Sequence, residues 1–125
     1  MNTPSTGAGD SMHILIVLND PPYGTERSYN GLRLAKALGR EEARVTLFLL
    51  ADAVVCANRG QKVPQGFYNV ELMLNSVIRI GEVLLCGSCM DARGVGDDDL
   101  VAGARRSSMK ELGEKTLTAD KVLVF

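Results

Sequence analysis

The sequence predicts one α/β domain over residues 12–125, a parallel sheet with helices on both faces. Two observations carry this. Short, almost uninterrupted apolar runs recur along the chain, as strands buried on both faces require, and between them lie longer stretches whose apolar positions repeat at helical spacing. Strand and helix in alternation lead to a parallel sheet, because each right-handed crossover returns the chain over one face of it. The length of 125 residues falls in the common single-domain range of roughly 100–150, so no second domain is expected.

Residues 1–11 are rich in Thr, Ser, Gly and Pro and lack both the basic start and the apolar stretch of a secretory signal, so they read as a disordered tail. The first strand is the run from Met12 to Leu18, broken by Asn19-Asp20-Pro21-Pro22-Tyr23-Gly24. Thr25 is placed to cap a helix with Leu32, Ala35 and Leu38 on its apolar face, and Gly39 to end it in the left-handed conformation. Val45 to Leu50 reads as the second strand, with Asp52 opening a short helix to Ala57 and a polar loop from Asn58 to Gly66. Val70, Met73, Leu74, Val77 and Ile78 make one face of a helix within 67–80, which Gly81 stops. Val83-Leu84-Leu85 is a third buried strand. Asp97 to Gly103 reads as another helical turn, Ser108 and Glu111 as a capping box opening a helix to about Thr118, and Lys121 to Phe125 as the last strand.

Composition narrows the function. Lys and Arg total 14 against 15 Asp and Glu, a net charge of -1, so there is no cationic excess to neutralise a phosphate backbone and nucleic acid is not an expected partner. No apolar run approaches the roughly 20 residues that span a bilayer, so a soluble protein with no membrane partner is expected. The three cysteines, with no export signal, are expected in a reducing cytoplasm, where close thiols point to catalysis or metal rather than a structural disulfide. A zinc site wants about four ligands, and His13 lies at the opposite end of its strand from the cysteines, so no metal is expected and His13 reads as structural. The glycines form neither a dinucleotide fingerprint nor a phosphate-binding loop, and no cofactor is expected.

The chemistry that remains is thiol chemistry. Cys86 and Cys89, in Cys86-Gly87-Ser88-Cys89, follow the third strand and so lie at the carboxyl edge, where open α/β sheets place their ligand crevice. The loop from Asn19 to Thr25 leaves the same edge. If the first and third strands are neighbours, that loop and the cysteine loop face each other across the crevice. Gly87, Ser88 and Gly94 keep the cysteine loop small, so that backbone N–H groups can stabilise a Cys86 thiolate, and Arg93 can add positive charge. An exposed thiolate there can attack a sulfane sulfur, hold it as a persulfide and pass it to another thiol. Cys56, inside Val54-Val55-Cys56-Ala57, reads as core, Asp97-Asp98-Asp99 as a solvated helix start, and Asp91 with Arg93 as a surface ion pair or a site feature.

Pro21-Pro22-Tyr23-Gly24-Thr25 after the first strand, Cys86 to Val95 with Arg93-Gly94-Val95 at its end, and the closing Ala119 to Phe125 together resemble the DsrE/DsrF-like proteins, which include the TusD-type sulfur-relay subunits and the YchN-like homo-oligomers. The resemblance covers essentially everything after residue 11. It implies a three-layer α/β/α domain with about five mostly parallel strands in the order 2-1-3-4-5, a trimer or hexamer, and a sulfur-accepting cysteine at the position of Cys86. It also turns Asn19, Pro22, Tyr23, Gly24 and Thr25, with Gly87 and Ser88, towards a substrate-binding role. Cys89, which relay-type members need not have, departs from the pattern. Three readings stay open: a sulfur carrier or sulfurtransferase using Cys86 with donor and acceptor proteins, a Cys86/Cys89 dithiol-disulfide protein, and a non-catalytic oligomeric module for a small ligand.

Overall fold

The computed structural model describes residues 11–125; the expected tail falls almost wholly outside the described residues. Five strands, β1 (His13–Leu18), β2 (Arg44–Leu49), β3 (Gly81–Cys86), β4 (Ala104–Ser107) and β5 (Lys121–Val124), alternate with helices α1 (Arg27–Arg40), α2 (Val70–Ile78), α3 (Gly87–Ala92) and α4 (Met109–Thr118). A 3₁₀ segment, Ala51–Ala57, follows β2, and Asp97–Asp99 form a 3₁₀ turn. Every strand pair is parallel. This is the expected three-layer α/β/α architecture.

The strand order is β4-β3-β2-β1-β5, not 2-1-3-4-5. From β1 to β4 the chain steps one strand at a time in one direction, so right-handed crossovers put α1 and α2 on one face. From β4 it returns past three strands to the far side of β1, and that reversal puts α4 on the other face. Ile14, Ile16, Leu18, Val45, Leu47, Leu49, Val83 and Leu85 pack under α1 and α2 with Leu32, Ala35, Leu74 and Val77. Leu15, Val17, Phe48, Leu84 and Cys86 take the opposite face with Leu112 of α4. Cys86 thus points to the face that a single helix covers.

Gly39 does not end α1. It lies inside the helix, where an added Cβ would come within 2.1 Å of Ile80 Cδ1, and the left-handed residue past the helix end is Glu42, at φ 68°. Close packing between α1 and the residue entering β3 is therefore what requires glycine there. Thr25 Oγ1 accepts from the Arg27 N–H and donates to Asp20, although the residue flanking α1 is Glu26. The stretch 97–103 forms only a 3₁₀ turn and leads into β4, an edge strand of sequence Ala-Arg-Arg-Ser.

At the amino edge the buried His13 heads a polar chain. Its Nε2 lies 2.9 Å from Thr46 Oγ1, which is 3.2 Å from Glu82 Oε1, itself bonded to Lys115 Nζ at 2.5 Å. With the Thr46 hydroxyl donating to the carboxylate, Nε2 must carry the hydrogen. Burial, then the charges of Arg44 and Lys115, hold the His13 pKa below its ordinary 6.5, against Glu82 and Asp120. A folded pKa below the unfolded one gives stability that is complete above about pH 6.5 and lost as pH falls through that value towards the folded one. Thermal unfolding should show a Tm that declines as pH falls below 6.5, a decline that His13→Gln flattens. Glu82, lowered by its Lys115 and Thr46 hydrogen bonds despite burial, contributes stability lost only at more acid pH, below its usual 4.5.

Candidate functional site

β3 delivers Cys86 to the carboxyl edge and α3 begins at the next residue. The Cys86 side chain caps this short helix: Sγ accepts from the Cys89 N–H at 3.4 Å and lies 3.3 Å from Ser88 Oγ. Glycine suits the position that follows, since a Cβ on Gly87 would crowd Arg106 Nη1 at 3.0 Å and Ser107 O at 3.1 Å, and these would have to give by a few tenths of an ångström. Cys86 is 3% exposed, Cys89 half-buried and Ser88 exposed, so Ser88 and Cys89 stand on the solvent side of the sulfur.

The two thiols differ. Burial pushes Cys86 up, but hydrogen bonds from the Ser88 hydroxyl, the Cys89 thiol and the N–H groups of Cys89 and Ser88 outweigh it, and its pKa lies below the ordinary 9.0. Cys89 is raised, by burial and by donating to Cys86, against a hydrogen bond from the Ala51 N–H and the charge of Arg93. Deprotonation therefore favours Cys86, with Cys89 holding the shared proton. Cys56 is fully buried and pushed up to about 12 by desolvation, which fits its reading as a core residue.

Arg93 does not pair with Asp91. Its Nε bonds Asp52 Oδ1 at 2.8 Å and its Nη1 the Cys89 carbonyl at 3.1 Å, so its charge bears on Cys89. Asp91 instead meets Arg106, which also bonds Asp97 Oδ1 and donates to Gly87 O at 3.1 Å. Ala51, Asp52 and Arg106 are site neighbours that the sequence reading missed. Ala51, at φ 50°, directs its N–H at Cys89 from the end of β2. The available signal was position: residues just past a neighbouring strand share its carboxyl edge.

The segment after Cys86 is the helix α3 and not the loop expected, and the loop from Asn19 to Thr25 does not face it. β2 lies between β1 and β3, which sets those strands about 10 Å apart. Both Asn19 N–H and Nδ2 donate to Phe125 O, fastening the end of β5 to β1. Tyr23, at φ 69°, donates to Gln61 Oε1 and accepts from the Val70 N–H. The Tyr23 ring stacks on Tyr68 at 5.5 Å, and Tyr68 stacks on Tyr29 at 4.1 Å. With Glu26, Val63, Pro64 and Phe67, Tyr23 and Tyr68 line a cleft of about 370 Å³. Pro22 and Gly24 shape the same turn. Among the described residues no group of three or more His, Cys, Asp or Glu side chains is arranged to hold a metal, and no helix is long and apolar enough to cross a membrane.

A parallel α/β/α domain that ends its third strand in a hydrogen-bonded thiol pair defines a narrow class. The chain belongs to the DsrE/DsrF-like family, whose model matches residues 12–125. It is 44% identical over 115 residues to the protein YchN of Escherichia coli K12, covering 90% of this chain and 97% of that one. The crystal structure of the E. coli ychN protein superposes with a TM-score of 0.87 over 91% of this chain and 99% of its own, at 43% identity. A TusC homolog of Aliivibrio fischeri is 22% identical over 112 residues, covering 87% of this chain and 95% of its own.

Proposed function

We propose that this protein is a cytoplasmic sulfur carrier that takes sulfane sulfur onto Cys86 as a persulfide and hands it to a thiol of an acceptor protein. The observation that carries the reading is the set of hydrogen bonds from Ser88 and Cys89 to Cys86 Sγ, which favours the anionic, nucleophilic form. The likeness to a TusC homolog supports a relay over an isolated enzyme. No bound cofactor is needed, since the sulfur is carried on the cysteine itself.

The same reading takes the chain as a homo-oligomer, a trimer or hexamer. Among the described residues one sheet face is covered by α4 alone, and Met109 and Leu117 of that helix, with Val122 and Val124 of the edge strand β5, expose apolar side chains. Such a face is suited to burial against another subunit.

Mass spectrometry after incubation with a sulfane-sulfur donor tests the carrier. One added sulfur is expected on the Cys86 peptide and none in Cys86→Ser; an adduct that persists in Cys86→Ser defeats the assignment. The low exposure of Cys86 and the aromatic cleft at Tyr23 favour the rival reading, a ligand-binding module with packed cysteines. Native-state thiol titration separates them: the carrier requires Cys86 to react faster than a free thiol, the module slower.

A further inference from the structure

We propose that Cys89 discharges the sulfur held on Cys86 as hydrogen sulfide by closing a Cys86–Cys89 disulfide, so that the protein is a sulfane-sulfur reductase as well as a carrier. This rests on Cys86 being the sulfur acceptor. Both thiols are free, and the Cys89 N–H donates to Cys86 Sγ at 3.4 Å. Cys86 caps α3 and Cys89 lies in its first turn, which sets their Cα atoms about 5 Å apart, within the range a disulfide spans.

In the first step the Cys86 thiolate attacks the terminal sulfur of a low-molecular-weight persulfide; the donor S–S bond breaks and the donor leaves as a thiol. Cys86 then carries –S–SH. In the second step the Cys89 sulfur attacks Cys86 Sγ, the inner sulfur, as the outer S–S bond breaks. The outer sulfur takes the bonding pair and the Cys89 proton and leaves as hydrogen sulfide. That sulfur is reduced while the two cysteine sulfurs are together oxidised by two electrons. An external dithiol returns the disulfide to two thiols and completes the cycle.

The surroundings of Cys89 suit this step better than a packing role. The half-buried Cys89 receives the Ala51 N–H and lies beside the Arg93 charge, and both favour its thiolate against burial and the hydrogen bond to Cys86. Being intramolecular, Cys89 acts at an effective concentration of millimolar or more. An acceptor protein must therefore take the sulfur before Cys89 does, and the pair sets a time limit on carriage.

The test incubates the full-length protein anaerobically with glutathione persulfide, with a protein-free blank, and follows released sulfide and the state of each cysteine by mass spectrometry. Wild type is expected to release sulfide in step with a mapped Cys86–Cys89 disulfide. Cys89→Ser is expected to stall as a stable Cys86 persulfide, with sulfide release at least about tenfold lower. A lasting Cys86 persulfide in wild type, with no disulfide, overturns the reductase and leaves the carrier. Absence of added sulfur in both proteins removes the carrier and the reductase together. Should Cys89→Ser fail to fold, the wild-type disulfide map alone decides, since its absence overturns the proposal.

Discussion

Gly81→Ala is expected to destabilise the protein by roughly 3 kcal/mol, the upper part of the range for forced overpacking. Gly81 opens β3 opposite Val45 of β2, and a Cβ built on it would lie 2.1 Å from the Val45 carbonyl oxygen and 3.1 Å from its carbon. Those are backbone atoms of the strand that joins β1 to β3, so they cannot rotate aside as a side chain can. Relief requires the β2–β3 ladder to open at its first pair, beside the Thr46–Glu82 hydrogen bond. A fall in Tm on the order of 10 °C or more follows for a domain of this size. Gly113→Ala is the matched control: it lies inside α4 with nothing within 4 Å of the added Cβ, and should gain about 0.5–1 kcal/mol. Urea unfolding that leaves Gly81→Ala within about 0.5 kcal/mol of wild type would contradict the close approach.

The same strand marks how far the sequence could be read. β1, β2 and β3 announce themselves through apolar runs because both faces of the central sheet are covered. β4 gave no such signal. It is a four-residue edge strand of Ala, Arg, Arg and Ser whose arginines bond Glu111, Asp91 and Asp97, and an edge needs no apolar alternation. Strand order was beyond local pattern altogether, since it is decided by pairings such as Ile14 with Lys121, more than a hundred residues apart. Mistaking that order is what set the Tyr23 loop against the cysteines.

The prominence of the cysteine pair was legible because it depends only on a strand ending at Cys86 on the carboxyl edge, although a short helix and not a loop follows it. Its electrostatic partners were not. Arg93 was assigned to Cys86 by nearness in sequence, yet the guanidinium is held by Asp52, which reaches the site only because β2 adjoins β3. A residue brought by topology cannot be found by spacing, whereas Ser88, two residues from Cys86, entered the reading as a small residue with a backbone N–H, and its hydroxyl was passed over.

Ser88→Ala is accordingly expected to slow Cys86 alkylation about tenfold near neutral pH. The Ser88 hydroxyl lies 3.3 Å from Sγ and is the foremost of the hydrogen bonds that outweigh burial in lowering the Cys86 pKa. A hydrogen bond to a charged group is worth about 1.5 kcal/mol or more, and about 1.4 kcal/mol is a factor of ten. The sign follows from the state stabilised: losing a donor to the thiolate moves the reactivity midpoint to higher pH, so the deficit shrinks as pH rises and both proteins react alike once fully deprotonated. Ser88→Thr keeps the hydroxyl and should restore most of the rate. Arg93→Gln should leave the Cys86 midpoint in place and move that of Cys89 upward, because the charge bears on Cys89. Iodoacetamide rates followed peptide by peptide across pH give all of these at once. A Cys86 midpoint that follows Arg93 and ignores Ser88 would mean that charge, and not the local hydrogen bonds, holds the sulfur anionic.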